Sequence, residues 1–256
     1  MICAGIDAGS RSIKIVLLDG ETDAVLAMGS CPQGVHGNQL VSDLLEDLLS
    51  DVGRGLKDVD KAVATGYSRN MIEIADTTIT EITCHGCGVH RLMPEARTVI
   101  EIGGQDSKLL RLGENGAVRD FAMNDRCAAG TGRFLELVAD RLNVELSDLG
   151  ELASRSVKPA VISSMCIVFA ETEIIGLLAS GAAPEDIVAG IQNSIATRVA
   201  SMVGRQIVEP VVFTGGVAMV PGMEAALSRA VSKPIAVAPD PQFTGALGAA
   251  VLASRR

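Results

Sequence analysis

The chain has 256 residues, of which 48% are hydrophobic, 21% charged and only 2% aromatic, and its formal net charge is −9. These values are typical of a globular protein with an aliphatic core, and they exclude a disordered chain. The acidic balance and the absence of a long lysine or arginine run argue against a nucleic-acid or anionic-membrane partner.

No stretch offers about 20 uninterrupted apolar residues, so we expect a cytoplasmic protein with no membrane partner. In that compartment cysteines are reduced thiols or metal ligands rather than a disulfide framework. Cys3 falls in a predicted strand and Cys31 in a predicted loop. The remaining four cysteines are Cys84, Cys87, Cys127 and Cys166.

In chain order, the first predicted element is a hairpin. Residues 2–7 form an apolar strand, residues 8–12 a turn of small and polar side chains, and residues 13–18 a second strand. The elements predicted after the hairpin are a strand at 24–30, a helix at 40–49, a strand at 61–65 and a helix at 71–75.

The hairpin then recurs at residues 97–111, 94 positions further on. Each copy is a strand, an acidic residue, a glycine-rich turn, a lysine and a second strand. The matched pairs are Asp7 with Glu101, Gly9 with Gly103, Ser12 with Asp106, and Lys14 with Lys108. An internal repeat predicts two similar lobes. We expect lobe I to comprise residues 1–95, completed by a C-terminal helix at 243–256, and lobe II to comprise residues 96–242.

The rest of the chain alternates helices and strands, which is typical of an α/β fold. Helices are predicted from Cys127 to residue 142, at 146–154, from Cys166 to a stop near Gly181, and at 184–203, 223–231 and 243–253. Strands are predicted at 210–218, where the strand runs into a glycine pair, and at 235–238. Gly130, Thr131 and Gly132 fall inside the first of these helical patterns.

Three strands end in small residues, at Gly9-Ser10, Gly103-Gly104 and Gly215-Gly216. Such turns let backbone N–H groups approach an anion closely, and carboxylates beside two of them suit Mg²⁺ or its waters. The set predicts a site for a metal-bound polyphosphate; the alternative is three ordinary turns. The lysines of the repeat either add positive charge or are solvated strand residues.

Two cysteines occupy similar places. Cys127 follows Asn124 and Asp125, which are common N-cap residues, and Cys166 precedes another helical pattern. A cysteine at a helix start lies in the positive end of the helix field, which favours the thiolate over the thiol. The alternative is that both are small buried hydrophobic residues.

This arrangement resembles the superfamily of sugar kinases, actin and chaperone ATPases. In that superfamily two lobes of repeated topology close on ATP, with two phosphate hairpins and an adenosine motif like residues 212–216. The resemblance implies a two-lobed α/β fold with duplicated domains that each contain a ββ-hairpin.

A narrower resemblance is carried by residues 6–10, 64–67, 80–86, 102–106, 123–134, 166–171 and 242–248. These segments are similar to the ATP-dependent activators (component A) of 2-hydroxyacyl-CoA dehydratases. That family includes the ATP-binding subunits of benzoyl-CoA reductase and the reductases of double-cubane-cluster proteins.

The resemblance implies one [4Fe-4S] cluster shared across a homodimer, with Cys127 and Cys166 of each chain as ligands. It also implies ATP or ADP with Mg²⁺. We expect Asp7 and Glu101 to hold Mg²⁺, directly or through water, and Gln105 to orient the attacking water by analogy with other NTPases. The residues expected to contact the nucleotide are Gly9, Ser10, Arg11, Ser12, Lys14, Gly103, Gly104, Gln105, Gly215, Gly216 and Gln242.

The function implied is an oxygen-sensitive, ATP-driven one-electron pump. Ferredoxin or flavodoxin would donate the electron, and a partner iron–sulfur enzyme would accept it. A 2-hydroxyacyl-CoA dehydratase is the expected acceptor, with a benzoyl-CoA reductase or a double-cubane protein as alternatives. Two further readings are a small-molecule kinase of the same fold, for which no insertion large enough for an acceptor site is present, and a non-catalytic ATP-binding assembly protein.

Some residues depart from the family pattern. Glu101 stands where the family usually has Asp, which lengthens the arm and changes the metal geometry. Arg126 replaces Lys, and Arg11 replaces a common Thr. Cys84-His85-Gly86-Cys87 looks like half a zinc site, but no second pair has suitable spacing. We expect a structural segment there, with a redox dithiol as the alternative.

Overall fold

The computed structural model describes residues 1–163, 166–203 and 207–255. The chain divides into two compact units. Unit 1 comprises Met1–Ala96, Leu112–Arg119 and Ala238–Arg256, and unit 2 comprises Arg97–Arg111 and Asp120–Val237. Both units have an α/β architecture. Among the described residues, no helix combines the length and apolar character that a membrane span requires.

The strands are β1 Ile2–Ala8, β2 Ser12–Asp19, β3 Ala24–Pro32, β4 Val59–Thr65, β5 Thr77–Thr78, β6 Thr98–Ile102, β7 Ser107–Leu112, β8 Val118–Asn124, β9 Val211–Thr214 and β10 Ile235–Val237. The α-helices are α1 Gly37–Asp51, α2 Glu81–Leu92, α3 Gly132–Leu142, α4 Leu149–Ser154, α5 Ile167–Ala179, α6 Pro184–Val203, α7 Met223–Val231 and α8 Thr244–Ser254.

The sheet of unit 1 has the order β3-β2-β1-β4-β5 in the described part of the chain. Its central strand β1 pairs antiparallel with β2, as the hairpin pattern predicts, and parallel with β4. Every residue of β1 is buried because helices cover both faces of the sheet. Ile6 packs with Leu45 of α1 on one face, and Cys3 packs with Ala250 of α8 on the other.

Helices α2 and α8 pack backbone against backbone, and α8 lies on β1. A Cβ atom on Gly88 would collide with the Thr244 carbonyl oxygen, and one on Gly248 would collide with the Cys84 carbonyl oxygen. Glycine therefore permits an approach that no other residue allows. As a result, Gly245 in the first turn of α8 lies close to both Asp7 of β1 and His85 of α2.

The sheet of unit 2 repeats this plan with the order β10-β9-β6-β7-β8 in the residues that the structure describes. Strand β6 pairs antiparallel with β7 and parallel with β9. Its core buries Phe134 of α3 and Phe213 of β9 completely, together with aliphatic side chains of α6 such as Ile191. The internal repeat thus predicts matching strand pairings, and the structure confirms them.

The sequence pattern misses α2 and β8. Gly86 and Gly88 lower the helix propensity of α2, which forms because it packs on α8. Strand β8 lies at the sheet edge and is largely exposed, so it lacks a clear apolar face. Cys31 lies in edge strand β3 rather than in the predicted loop.

The helix predicted at 71–75 is wrong. A 3₁₀ turn at Arg69–Met71 ends at Ile72 instead. The Glu73 N–H donates to Asn38 Oδ1 at 3.0 Å, which holds the segment to α1 by a side chain rather than by a helical hydrogen bond. This partner lies 35 positions away along the chain, so apolar spacing within residues 71–75 gives no sign of it.

Alanine at Gly248 should force α2 and α8 apart, because its Cβ would meet a backbone carbonyl that cannot rotate away. We expect a loss of about 1–3 kcal/mol in the free energy of unfolding, measured by urea denaturation. Gly176→Ala in α5 is the matched control, since nothing lies within 4 Å of its added Cβ. The control should gain about 0.5–1 kcal/mol. Equal denaturation midpoints for the two variants would contradict this account.

Candidate functional site

In unit 1, the turn between β1 and β2 places a carboxylate opposite a lysine. Asp7 lies across from Lys14 in the strand register, and the Gly9 N–H donates to the Ser12 carbonyl at 3.1 Å to close the turn. Lys14 Nζ lies 3.8 Å from Asp7 Oδ2. The Asp7 side chain is buried beside this turn, with 6% of the residue exposed.

Unit 2 reproduces this turn. Glu101 lies across from Lys108, and the Gly103 N–H donates to the Asp106 carbonyl at 3.0 Å. Lys108 Nζ lies 2.9 Å from Glu101 Oε2 and 2.6 Å from Asp106 Oδ2. Lys108 is buried, so the alternative of a solvated strand residue is wrong for it. A buried ammonium group needs such partners, because an unpaired charge is costly away from water.

Each carboxylate is also covered by a glycine from the neighbouring parallel strand. A Cβ on Gly66, which follows β4, would lie 2.6 Å from Asp7 Oδ1. A Cβ on Gly215, which follows β9, would lie 2.7 Å from Glu101 Oε1. The two glycines have φ values of +93° and +90°. Gly66 is absent from the predicted contact residues, although Thr-Gly after a strand at both places is a sequence signal.

These carboxylates fit Mg²⁺. Oxygen ligands are the ones that Mg²⁺ prefers, and it commonly binds one or two carboxylates together with substrate phosphates. In both units one carboxylate oxygen faces a lysine and the other faces a glycine, which brings no side chain against it. Asp7 Oδ1 and Glu101 Oε1 are therefore the atoms that could hold the ion or its waters.

The other predicted contact residues fall around these turns. Ser10, Ser12 and Gly104 are half-buried, whereas Arg11 and Gln105 are exposed in their turns. Gly216 is exposed and begins a 3₁₀ turn at Gly216–Met219. Gln242 is half-buried in the 3₁₀ turn Pro241–Phe243, just ahead of α8.

In unit 2 the phosphate turn is bonded to the start of α3. The Gly132 N–H donates to the Gly103 carbonyl and the Arg133 N–H to the Gly104 carbonyl, both at 2.9 Å. The first N–H groups of a helix have no partner within the helix, so this turn satisfies two of them. A Cβ on Gly132 would lie 3.2 Å from the Gly103 carbonyl oxygen.

Cys127 lies ahead of this junction. The Asn124 side chain bonds its backbone twice, accepting from the Cys127 N–H at 3.1 Å and donating to the Cys127 carbonyl at 2.8 Å. The expectation that α3 begins at Cys127 is wrong. A 3₁₀ turn at Ala128–Gly130 follows the cysteine, and extended Thr131 separates it from α3.

Cys166 is the N-cap residue of α5 and is exposed, whereas Cys127 is half-buried. The segment before Cys166 is held to α5, because Glu173 Oε1 accepts from the Ser163 N–H at 2.8 Å. An ion pair between Arg141 and Glu171 joins α3 to α5. Ser164 and Met165 lie outside the described residues.

These thiols fit half of an iron–sulfur cluster. A cubane takes four thiolate ligands, and unit 2 offers two cysteines outside any disulfide, each ahead of a helix. Across the described part of the chain, no group of three or more His, Cys, Asp or Glu side chains is placed to hold a metal ion. Cys127 and Cys166 therefore suit a cluster only with thiolates from a second copy.

Cys84 and Cys87 lie in α2, and both thiols are free. Burial raises the pKa of Cys84 to about 12, and burial also raises the pKa of Cys87. A redox dithiol needs an accessible thiolate, so this environment favours the structural interpretation of the pair.

The two similar sheets with their carboxylate turns give the chain the fold of actin, sugar kinases and chaperone ATPases. A ROK hexokinase from Thermus thermophilus shares the fold at a TM-score of 0.55, with 14% identity over 99% of this chain and 98% of that one. This likeness concerns the fold alone.

The chain belongs to the BadF/BadG/BcrA/BcrD ATPase family, whose family model matches residues 4–253. It is 45% identical to the 2-hydroxyisocaproyl-CoA dehydratase activator of Clostridioides difficile over 99% of this chain and 95% of the relative. It is 42% identical to the (R)-2-hydroxyglutaryl-CoA dehydratase activating ATPase of Acidaminococcus fermentans, over 98% of this chain and 96% of that one.

A solved structure extends this similarity. The activator of the 2-hydroxyisocaproyl-CoA dehydratase from Clostridium difficile, with bound ADPNP, has a TM-score of 0.94 and 43% identity. The match covers 100% of this chain and 95% of that one. Family membership and this neighbour support the binding of ATP or ADP.

Alanine at Gly215 should displace the Glu101 carboxylate and weaken binding of a magnesium-bound, non-hydrolysable ATP analogue by about tenfold or more, equivalent to about 1.4 kcal/mol. Gly181→Ala is the matched control, since its φ of +85° imposes similar backbone strain but nothing lies within 4 Å of its Cβ. Isothermal titration calorimetry checks both. Equal losses of affinity would show that strain, rather than the carboxylate, is responsible.

Cys84 should resist alkylation by iodoacetamide at pH 8 in iron-free folded protein, because a thiol with a pKa of about 12 is almost entirely protonated there. Exposed Cys166 should be modified first, and peptide mass spectrometry distinguishes the sites. In denaturant every cysteine should react. Modification of Cys84 as fast as Cys166 in the folded protein would restore the redox-dithiol alternative.

Proposed function

We propose that this chain is an ATP-hydrolysing activator that delivers one low-potential electron to a partner iron–sulfur enzyme of the 2-hydroxyacyl-CoA dehydratase class. One observation carries the proposal: in unit 2 the Gly103-Gly104 turn is hydrogen-bonded to the segment that follows Cys127. The turn to which we assign the nucleotide response and the thiol to which we assign the cluster therefore belong to one continuous segment. The dehydratase activators to which the chain is similar support the choice of acceptor.

The turns of both units would bind ATP phosphates. Gly9 and Gly103 use their N–H groups to close the turns, so we assign the phosphate-facing donors to the next residues, Ser10 and Gly104. Lys14 would add positive charge, and Arg11 and Ser12 would contribute side-chain donors. Gly215, Gly216 and Gln242 would contact the rest of the nucleotide.

The carboxylates would act on Mg²⁺ and water. Asp7 and Glu101 would hold Mg²⁺ or its waters through the oxygens that face the glycines, and the ion would neutralise charge on the phosphates. Gln105, exposed in the unit 2 turn, would orient the attacking water. Glu101 reaches further than the aspartate usual in the family, and the Lys108 pair fixes where its longer arm points.

Hydrolysis would be coupled to Cys127 through the backbone. A shift of the Gly103-Gly104 turn, on loss of the terminal phosphate, must move the first N–H groups of α3 or break their hydrogen bonds. The 3₁₀ turn between them and Cys127 passes this shift to the thiol. Such a small local change can be read out at an interface between subunits.

A [4Fe-4S] cluster held by Cys127 and Cys166 of two copies would supply the one-electron chemistry. A homodimer with two-fold symmetry supplies equivalent pairs of thiolates. Asn124 and Glu173 would hold the cysteine segments in place for ligation. Ferredoxin or flavodoxin would be the electron donor, and ATP hydrolysis would make the transfer to the acceptor irreversible.

The proposal predicts that nucleotide and iron can be lost separately. Cys127→Ser and Cys166→Ser should each abolish iron binding in anaerobically purified protein, because each removes two of four ligands from a dimer. Asp7→Asn should keep the iron but lose at least about tenfold in ATPase rate, through lost stabilisation of the metal. Iron assays and phosphate release measure the two properties.

Cys31→Ser is the control, since this half-buried cysteine of β3 lies in unit 1. It should retain both iron and ATPase activity. Wild-type protein without iron, or a Cys127→Ser, Cys166→Ser double variant with a full cluster, would refute the electron-transfer function. In that case a different protein would have to be the one that uses ATP to reduce the dehydratase.

A further inference from the structure

His85 is a buried histidine in unit 1 to which the proposed chemistry gives no role. It lies in the first half of α2 and is 5% exposed. Its Nδ1 atom lies 3.0 Å from the Thr244 hydroxyl oxygen at the start of α8. A buried polar ring is costly unless both nitrogens have partners, so the position of Nε2 needs an explanation.

Gly245 explains the position of the His85 Nε2 atom. A Cβ atom on this residue would be 3.0 Å from Asp7 Oδ2 and 3.2 Å from His85 Nε2. The two atoms therefore face the same small space above the Gly245 Cα atom, which only a glycine leaves open. Three elements bring them together: β1 supplies the carboxylate, α2 the imidazole and α8 the glycine.

The chemistry of these groups limits the hydrogen bonds that they can form. An ionised carboxylate only accepts, so a hydrogen bond between it and Nε2 requires the hydrogen on Nε2. The Thr244 hydroxyl has a single hydrogen, which it can donate to Nδ1 or to the Pro241 carbonyl 3.3 Å away. The two imidazole nitrogens thus face Thr244 at one end and the carboxylate of Asp7 at the other.

The two carboxylate turns differ in their need for such support. Lys108 Nζ lies 2.9 Å from Glu101 Oε2, a hydrogen-bonding distance that orients the carboxylate. Lys14 Nζ lies 3.8 Å from Asp7 Oδ2 and donates instead to the Ser12 carbonyl at 3.4 Å. Asp7 therefore lacks from its lysine the close contact that Glu101 has.

We propose that His85 is a positioning residue that donates from Nε2 to Asp7 Oδ2 and so turns Asp7 Oδ1 toward Mg²⁺. This inference rests on the proposed binding of magnesium-bound nucleotide. Hydrogen-bond partners of metal-ligating carboxylates commonly change metal affinity by 10–100-fold when removed. His85 thereby deepens the assignment of Asp7 rather than adding a new ligand.

Two substitutions separate the ends of the imidazole. The amide nitrogen of His85→Asn falls near Nδ1 and can keep the contact with Thr244, whereas that of His85→Gln reaches the place of Nε2 and can keep the contact with Asp7. We expect His85→Asn to weaken binding of mant-ADP in the presence of Mg²⁺ by about 10–100-fold. His85→Gln should stay within about threefold of wild type. In EDTA the three proteins should bind mant-ADP alike.

A double-mutant cycle tests whether His85 acts through Asp7. In an Asp7→Asn background, His85→Asn should cause no further loss of Mg²⁺-dependent mant-ADP affinity, because the acceptor is already altered. Thermal denaturation establishes that each variant is folded. Independent, multiplying losses in the cycle, or a His85→Gln variant as weak as His85→Asn, would overturn the inference.

The same titrations separate this inference from the proposed function. Wild-type protein that binds no mant-ADP with Mg²⁺ and hydrolyses no ATP would refute the nucleotide function itself. Wild-type protein that binds, together with an unaffected His85→Asn variant, would refute only the role of His85.

Discussion

The pairing of a carboxylate with a lysine across the tip of a β-hairpin is the constraint on which both units depend. It requires a short glycine turn, so that the two strands stay in register, and a central strand long enough to bury the carboxylate. It also requires a glycine at the end of the next parallel strand, because a side chain there would collide with the backbone after the carboxylate residue and with the carboxylate itself. The twofold occurrence of this arrangement explains why the chain consists of two similar sheets.

Unit 2 adds to this plan by building a thiol segment onto its turn. The first N–H groups of α3 have no acceptor within the helix, and the carbonyl groups of the turn accept hydrogen bonds from them. The same two hydrogen bonds therefore serve the stability of the helix and the proposed transmission of the nucleotide state. Unit 1 differs here: the start of α8 places Gly245 beside Asp7 and Thr244 beside His85, and the proposed role of His85 is to orient the Asp7 carboxylate.

Local features of the site are predictable from sequence, and contacts between distant segments are not. The repeat predicts the Asp7 and Glu101 turns because strand, carboxylate, glycine and lysine are close together along the chain. Gly66 and His85 escape notice because parallel strand pairing and helix packing bring them to Asp7. His85 and its partner Thr244 are 159 positions apart. The burial of Lys108 is likewise a property of the packed sheet, since the same spacing in a solvated hairpin would leave the lysine in water. Helix α2 shows the same limit, because its glycines look unfavourable until α8 is packed on them.

The buried charges at the unit 2 turn bear on which form of a nucleotide can bind. Glu101 and Asp106 share the single ammonium group of Lys108, so these three side chains together keep one negative charge. Uncomplexed ATP is strongly anionic, and repulsion at a buried site is screened little by salt. A divalent ion that arrives with the phosphates lowers their negative charge and can bridge them to a carboxylate. In the proposed function this turn would therefore favour the metal complex of the nucleotide over free ATP, and occupancy would follow the supply of free magnesium as well as that of ATP.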